Sequence, residues 1–227
     1  MQRFVPEDIS NLARVRREDP VGLAVAQANV RAATLLPLVA PVLDLLFRQH
    51  LLAAQRSVLA EVDAIGFETQ RLAVGFVDLV GFTELGERLS LHDLGGVLTS
   101  FEQLATDTVT ASGGRVVKFI GDEILFTTPD AASACTVALD VSQACRDHPL
   151  LPSVRAGLAM GRVMLRDGDV FGPVVNLAAR LAKAAQPSEV LATADVAAAS
   201  GLRSESRGRH RLKGSTDDVE LRRLLRN

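Results

Sequence analysis

The chain has 227 residues, of which 48% are hydrophobic and 23% are charged. This composition supplies enough apolar side chains for a folded core and excludes an intrinsically disordered chain. The formal net charge is −2, which excludes a surface coated with basic residues for nucleic acid. The length predicts one sizeable domain, alone or with a smaller module.

Residues 1–66 have the apolar spacing of helices, and Gly66 marks the predicted junction with a second domain, residues 67–227. The paired positions of a seven-residue leucine repeat in this segment are mostly polar. This favours an amphipathic helix packed on the second domain over a dimerising coiled coil, and under either interpretation we expect a regulatory or dimerising role. The repeat consists of Leu38, Leu45, Leu52 and Leu59.

The sequence has no clear pattern of a membrane-spanning helix or of a signal peptide. The longest apolar run, residues 35–47, is interrupted by Pro37, Pro41 and Asp44. It is also shorter than the roughly 20 residues that a membrane-spanning helix needs. The N-terminus lacks the basic-then-apolar pattern of a signal peptide, and the two cysteines form neither a disulfide framework nor a zinc spacing. We therefore expect a cytoplasmic protein without a transmembrane segment.

The second domain begins with an apolar run at residues 72–77, which predicts a buried strand that ends at Asp78. Thr83 is predicted to cap the helix that follows. A longer helix has one apolar face between residues 94 and 105, and it ends at residues 112–114.

The predicted elements after this helix alternate between strands and helices. In chain order they are strands at 115–119 and 124–128 around a tight turn at Gly121 and Asp122, a helix from Pro129 to about Arg146, strands at 154–160 and 162–165, a turn at 167–169, a helix at 174–185, a strand at 189–192, and a closing hairpin of 207–213 with 219–224. This order is similar to the split βαβ arrangement of ferredoxin-like folds. It predicts an α+β domain with helices packed on a mostly antiparallel sheet.

Asp78 and Asp122 each stand where an apolar strand gives way to a turn. In a sheet of this order the two strands can be neighbours, and paired carboxylates could hold two divalent ions about 3.5–4 Å apart. Magnesium prefers a few carboxylates together with the phosphate oxygens of a substrate. Taken singly, either aspartate is more typical of an ordinary turn, so the prediction depends on the pair and on the motifs around it.

Other polar residues point to a phosphate ligand with less specificity. Gly81 lies in a strand-to-helix turn where backbone N–H groups attract phosphate. Lys118 lies inside an apolar strand, so it needs either a partner in a cleft or an edge position with its ammonium group in solvent. Asn176 and Arg180 share one helix face, an arrangement that suits a transferring phosphate, although a solvated face is the commoner explanation of such a pair.

Three sequence blocks resemble the signature motifs of class III nucleotidyl cyclases. They are FVDLVGFT at residues 76–83, KFIGD at 118–122 and GPVVNLAARL at 172–181. Their order and spacing also match, and the resemblance covers about residues 70 to 225. It implies a ferredoxin-like cyclase domain that acts on a nucleoside triphosphate.

The resemblance implies a role for each matching position. Asp78 and Asp122, together with Leu79, would form a metal site for two Mg²⁺ or Mn²⁺ ions. Asn176 would orient the ribose, and Arg180 would stabilise the charged transition state. The positions assigned to the substrate are Gly81, Phe82, Thr83, Lys118, Asp169 and, near the C-terminus, Lys213.

Lys118 and Asp169 would select the base. In the family this combination reads adenine, whereas guanylyl cyclases typically carry Glu and Cys. Adenine offers an exocyclic amino donor and a ring-nitrogen acceptor, which a carboxylate and an ammonium group complement, while guanine presents the reverse polarity. Asp167 is close enough in sequence to be the alternative second residue.

The resemblance also implies a homodimer with two shared active sites. In the family one subunit supplies the metal-binding residues and the other supplies the base-reading and transition-state residues, and this chain carries both sets. A twofold dimer is also the commonest symmetric oligomer. One departure is Glu123, where the family more often has a small or apolar residue. A carboxylate there would shift the metal preference or point outward.

We therefore predict an adenylyl cyclase that converts ATP to 3′,5′-cyclic AMP and pyrophosphate by a two-metal mechanism, in cAMP signalling. One alternative is a guanylyl or relaxed-specificity cyclase, which ATP and GTP turnover would distinguish. Another is a catalytically silent nucleotide-binding module that signals through residues 1–66. A polymerase palm has a related strand order, but the near-neutral charge gives it little support and we expect no nucleic-acid partner.

Overall fold

The chain divides into two compact units, Met1–Leu59 and Ala60–Asn227. The computed structural model describes residues 68–211 and 218–226, together with Ala40, Pro41, Asp44, Glu61 and Val62. In the first unit Ala40, Pro41 and Asp44 are helical. Glu61 and Val62 form a short strand paired with the next one, so the helical structure predicted for residues 1–66 is wrong at these two positions. The leucine repeat and the other residues of that segment lie outside the described residues, and the domain boundary at residues 66 and 67 stays a prediction.

The described part of the second unit contains nine strands and five helices. The strands are β1 (Glu61–Val62), β2 (Glu68–Leu79), β3 (Arg115–Ile120), β4 (Glu123–Thr128), β5 (Val154–Arg166), β6 (Asp169–Phe171), β7 (Val190–Thr193), β8 (Ser204–His210) and β9 (Val219–Leu224). The helices are α1 (Phe82–Arg88), α2 (Leu91–Ala111), α3 (Ala131–Asp147), α4 (Pro173–Ala184) and α5 (Ala194–Ser200).

All nine strands belong to one sheet. Its main path is β3-β4-β2-β5-β7-β9-β8, and β1 and β6 pair with β2 and β5 respectively. Every pairing is antiparallel except that of β5 with β7. The predicted α+β domain with a mostly antiparallel sheet is therefore confirmed.

The two faces of the sheet are covered by different helices. Val77 and Leu79 of β2 pack in a core cluster with residues of α2 and α3, whereas Val74 and Phe76 pack with α4. Because successive side chains of a strand alternate between faces, Asp78 points to the same face as Phe76. The end of β2 therefore presents Asp78 on the face that α4 covers.

Several element boundaries differ from the prediction. The strands predicted at 154–160 and 162–165 are one continuous strand, β5, because Gly161 stays paired with Leu72. A glycine suits this point, since a side chain there would lie 3.4 Å from Cβ of Val174 on α4. Strand β6 and helix α5 were not predicted. Both are short, and only Val170 of β6 is buried, so neither has a clear periodic pattern.

Candidate active site

Asp78 and Asp122 line one cleft, as the sequence predicts. The backbone N–H of Leu79 donates a hydrogen bond of 3.2 Å to the carbonyl oxygen of Asp122, which joins the end of β2 to the β3–β4 turn. The cleft has a volume of about 570 Å³, and its lining consists of residues 78–84, Asp122 and Arg155. Two positions that are 44 residues apart by number in the sequence therefore contribute to one surface.

Gly81 shapes the turn that borders this cleft. Its φ of 75° lies in the left-handed region, which only glycine adopts at little cost. Gly81 is itself the N-cap of α1, and Thr83 is an exposed residue inside the helix, so the prediction that Thr83 caps the helix is wrong. Phe82 packs partly against the core and anchors the turn.

Arg155 is a positively charged residue of the cleft that the sequence motifs do not indicate. It lies opposite Asp78 in the pairing of β5 with β2. Its Nε and Nη2 atoms donate to Oδ2 of Asp78 at 2.7 and 2.6 Å. The side chain of Asp78 is 14% exposed. A charged residue inside the apolar run at 154–160 was the available sequence indication, the same indication that drew attention to Lys118.

Glu123 does not point outward. It lies opposite Asp78 on β4, so Arg155, Asp78 and Glu123 form a row across three strands on one face. Oε1 of Glu123 is buried and has no hydrogen-bond partner. Burial and then the charge of Asp78 raise the pKa of Glu123, and Lys183 of α4 offsets part of this shift.

The pKa of Asp122 is also raised. Burial is the main cause, and the charge of Asp78 adds to it, while a backbone hydrogen bond and Arg155 act in the opposite direction. A raised pKa means that the cleft disfavours an uncompensated negative charge on Asp122 beside that of Asp78. A bound proton or cation relieves this cost. This is the electrostatic condition under which a divalent cation binds.

The donor set fits a divalent ion that also takes ligands from a substrate. Asp78 and Asp122 supply hard carboxylate oxygens, which Mg²⁺ and Mn²⁺ prefer. The side chain of Leu79 is buried in the core, with 2% of the residue exposed, so only its backbone could contribute. Across the described residues, no three acidic, histidine or cysteine side chains come together as a metal cluster.

Lys118 and Asp169 meet directly although they are 51 residues apart in sequence. The Lys118 Nζ atom donates to Oδ2 of Asp169 at 2.5 Å. This hydrogen bond is the main reason why the pKa of Asp169 is lowered. The side chain of Asp167 is 89% exposed and pairs with Arg166 instead, so the structure brings Asp169, not Asp167, to Lys118.

Asn176 and Arg180 lie on α4 as predicted, on the side away from its buried residues Val174, Ala178 and Leu181. Asn176 is exposed and Arg180 is partly exposed. Neither residue belongs to the cleft that contains Asp78 and Asp122. Lys213 lies outside the described residues.

A family model described as the adenylate and guanylate cyclase catalytic domain matches residues 67–222. The chain belongs to this family. The match includes the cleft, the Lys118–Asp169 pair and α4, so the site lies entirely inside the cyclase domain.

Similar proteins include adenylate cyclases of Streptomyces and Mycobacterium. The cyclase domain is 41% identical to an adenylate cyclase of Streptomyces coelicolor over 157 residues, which is 69% of this chain and 41% of the relative. A pH-sensitive adenylate cyclase of Mycobacterium tuberculosis is 33% identical over 229 residues, covering 95% of this chain and 57% of the relative. The chain thus spans about half the length of these relatives.

A solved structure shows the same fold. An adenylyl cyclase of P. aeruginosa superposes with a TM-score of 0.60 and 24% identity, over 70% of this chain and 97% of the other. At this identity the likeness concerns the fold alone. Within the described part of the cyclase domain and the helical residues 40, 41 and 44, no helix has the length and apolar character needed to span a bilayer.

Proposed function

We propose that this cyclase domain is an adenylate cyclase that converts ATP to 3′,5′-cyclic AMP and pyrophosphate. The observation that carries the proposal is the contact of Lys118 with Asp169 at 2.5 Å. An ammonium group and a carboxylate are thereby held side by side, with the polarity that complements adenine. The family membership and the curated adenylate cyclase relatives support the same substrate.

Asp78, Asp122 and the backbone at Leu79 would hold two Mg²⁺ or Mn²⁺ ions. When bound, these ions would make the ribose 3′ hydroxyl more acidic and offset the negative charge of the triphosphate. Arg155, already in the cleft, adds a guanidinium group beside Asp78.

The remaining residues would bind and orient ATP. The turn at Gly81, Phe82 and Thr83 would accommodate the triphosphate, and Lys213 would contact it from the C-terminal region. Asn176 would orient the ribose so that its 3′ oxygen faces the α-phosphorus. That oxygen forms the new P–O bond, its proton passes to water in the open cleft, and the bond to the leaving pyrophosphate breaks. Arg180 would neutralise the charge that develops on the α-phosphate.

A homodimer with two shared sites is part of the proposal. Asn176 and Arg180 do not line the cleft of their own chain. Among the described residues their side chains have no hydrogen bond or ion pair, so both donors are available to a second chain. The predicted cytoplasmic location and the predicted function in cAMP signalling belong to this proposal as well.

The direct test is to identify the product. The purified full chain is incubated with ATP or GTP in the presence of Mg²⁺ or Mn²⁺. The nucleotides are then separated, and the products are identified by mass spectrometry. We expect metal-dependent formation of cyclic AMP from ATP, lost on chelation and in an Asp122→Asn variant. Preferential formation of cyclic GMP would assign a guanylyl cyclase. Nucleotide binding without any product would assign a silent module.

A further inference from the structure

The segment that carries Asp169 is held by few main-chain bonds. Strand β6 has three residues and, among the described strands, pairs only with β5. Asp167 and Gly168 form its turn with φ values of 52° and 80°, as a tight two-residue hairpin turn requires. Val170 is buried in the core and its backbone N–H donates to Oδ1 of Asp169 at 2.8 Å. Further contacts tie the turn and the carboxylate of Asp169 to the neighbouring strand β3.

Two side chains of β3 supply these contacts. Lys118 binds the carboxylate of Asp169 at 2.5 Å. Arg115 donates from Nη2 to the backbone carbonyl of Gly168 at 2.8 Å. The two contacts differ in kind. The contact from Lys118 uses the Asp169 carboxylate, which would also bind the base, whereas the contact from Arg115 uses the Gly168 carbonyl oxygen, which the base would not contact.

Adenine would compete with the first contact but not with the second. On binding it would take a hydrogen bond from the ammonium group of Lys118 and give one to the carboxylate of Asp169, which weakens their direct pairing. The bond between Arg115 and Gly168 would remain. A contact that holds a recognition group in place before and during binding lowers the entropic cost of binding.

We propose that Arg115 is a positioning residue for base selection, which keeps Asp169 opposite Lys118 by holding the carbonyl group of Gly168. The inference depends on the proposed function, since it assumes that Lys118 and Asp169 read adenine. Arg115 also acts on the charge of the site. The hydrogen bond from Lys118 is the main cause of the lowered pKa of Asp169, and the backbone N–H of Val170 and then the charges of Lys118 and Arg115 add to it.

Arg166 provides a matched control. It lies on the same hairpin and pairs with Asp167 at 3.4 Å, with 62% of its side chain exposed. This ion pair stays within the hairpin, so Arg166→Met removes the same charge without breaking the connection to β3.

The test measures the binding of 3′-deoxy-ATP and 3′-deoxy-GTP, which cannot cyclise, by calorimetry with Mn²⁺ and the full chain. For Arg115→Met we expect the dissociation constant of 3′-deoxy-ATP to rise about three- to tenfold, the effect of losing one ordinary hydrogen bond. The dissociation constant of 3′-deoxy-GTP should change less than about twofold, which is the usual size of the effect of a surface substitution. Arg115→Lys should restore part of the preference, and Arg166→Met should leave it unchanged.

An unchanged preference in Arg115→Met, with a reduced preference in Lys118→Met, would overturn the inference and leave the proposed function intact. An unchanged preference in Lys118→Met would instead refute the assignment of the base-reading pair. Hydrogen exchange of residues 166–171 provides a second readout that needs no nucleotide. It should be faster in Arg115→Met than in Arg166→Met, and equal rates would contradict the positioning role.

Discussion

At the scale of single residues, the charged side chains at the cleft come from three neighbouring strands. Asp78 lies between Arg155 on β5 and Glu123 on β4. Arg155 binds Asp78 directly, whereas Oε1 of Glu123 is buried without a partner. Burial is the main cause of the raised pKa values of Asp122 and Glu123, and the negative charge of Asp78, which Arg155 only partly offsets, adds to it.

The raised pKa of Glu123 predicts how Glu123→Gln affects stability. A raised pKa stabilises the fold at low pH, and that contribution is lost as the pH rises from the ordinary value of 4.5 through the raised one. Glutamine cannot ionise and avoids this loss. We expect the metal-free variant to match the wild type in acid and to be more stable than the wild type at neutral pH.

Denaturant unfolding at several pH values, with a chelator present, measures this difference. Glu87→Gln is the control, since Glu87 is an exposed acid on α1. A stability gap for Glu123→Gln that stays constant with pH, or one that equals the gap for Glu87→Gln, would contradict the electrostatic explanation.

The motifs indicate most of the candidate site residues but not the contacts between them. Asp78, Asp122 and Lys118 stand out locally because each interrupts or ends an apolar run. Arg155 interrupts such a run too, but its partner Asp78 is 77 residues away. Only the register of β5 against β2 makes that pair, and a register between distant strands cannot be derived from local sequence.

At the scale of elements, the packing of α4 on the sheet determines where Asn176 and Arg180 lie. Helix α4 packs directly on β5 at Gly157, where an added Cβ would come within 2.3 Å of the Ala178 carbonyl oxygen and 2.1 Å of the Ala182 backbone nitrogen. Real Cβ atoms do not approach a backbone this closely, so any side chain at Gly157 would displace the helix.

Gly157→Ala should therefore reduce both stability and activity. Overpacking of this kind costs about 1–3 kcal/mol or more, and a shifted α4 would misplace Asn176 and Arg180. Gly95→Ala is the control, because Gly95 lies in α2 with nothing within 4 Å of an added Cβ. That change should stabilise the helix by roughly 0.5–1 kcal/mol. Equal melting temperatures of the two variants would contradict this packing.

The fold was predictable where the pattern is local. The β3–β4 hairpin follows from two apolar runs around Gly121 and Asp122, and the α4 start follows from Gly172 and Pro173. Helix α5 and strand β6 are too short for a periodic pattern, and the parallel pairing of β5 with β7 joins segments that are distant in sequence. These features are fixed by tertiary packing.

At the scale of the whole molecule, the candidate site residues of one chain fall into two separate halves. Asp78 and Asp122 share a cleft, while Asn176 and Arg180 lie on α4 outside it. Two chains related by a twofold axis could bring each half against the other, which is how a symmetric dimer forms equivalent sites. Under the proposed function the catalytic unit is therefore the dimer.

Complementation between inactive chains tests this claim most directly. Asp78→Ala and Arg180→Ala chains are each expected to be inactive as homodimers, but a heterodimer would contain one intact site. Random assembly of an equal mixture should recover about a quarter of the wild-type cyclase activity. A mixture of Asp78→Ala with Asp122→Ala should recover none, because both changes damage the same half. Absence of recovery in the first mixture, with heterodimers detected by native mass spectrometry, would contradict shared active sites.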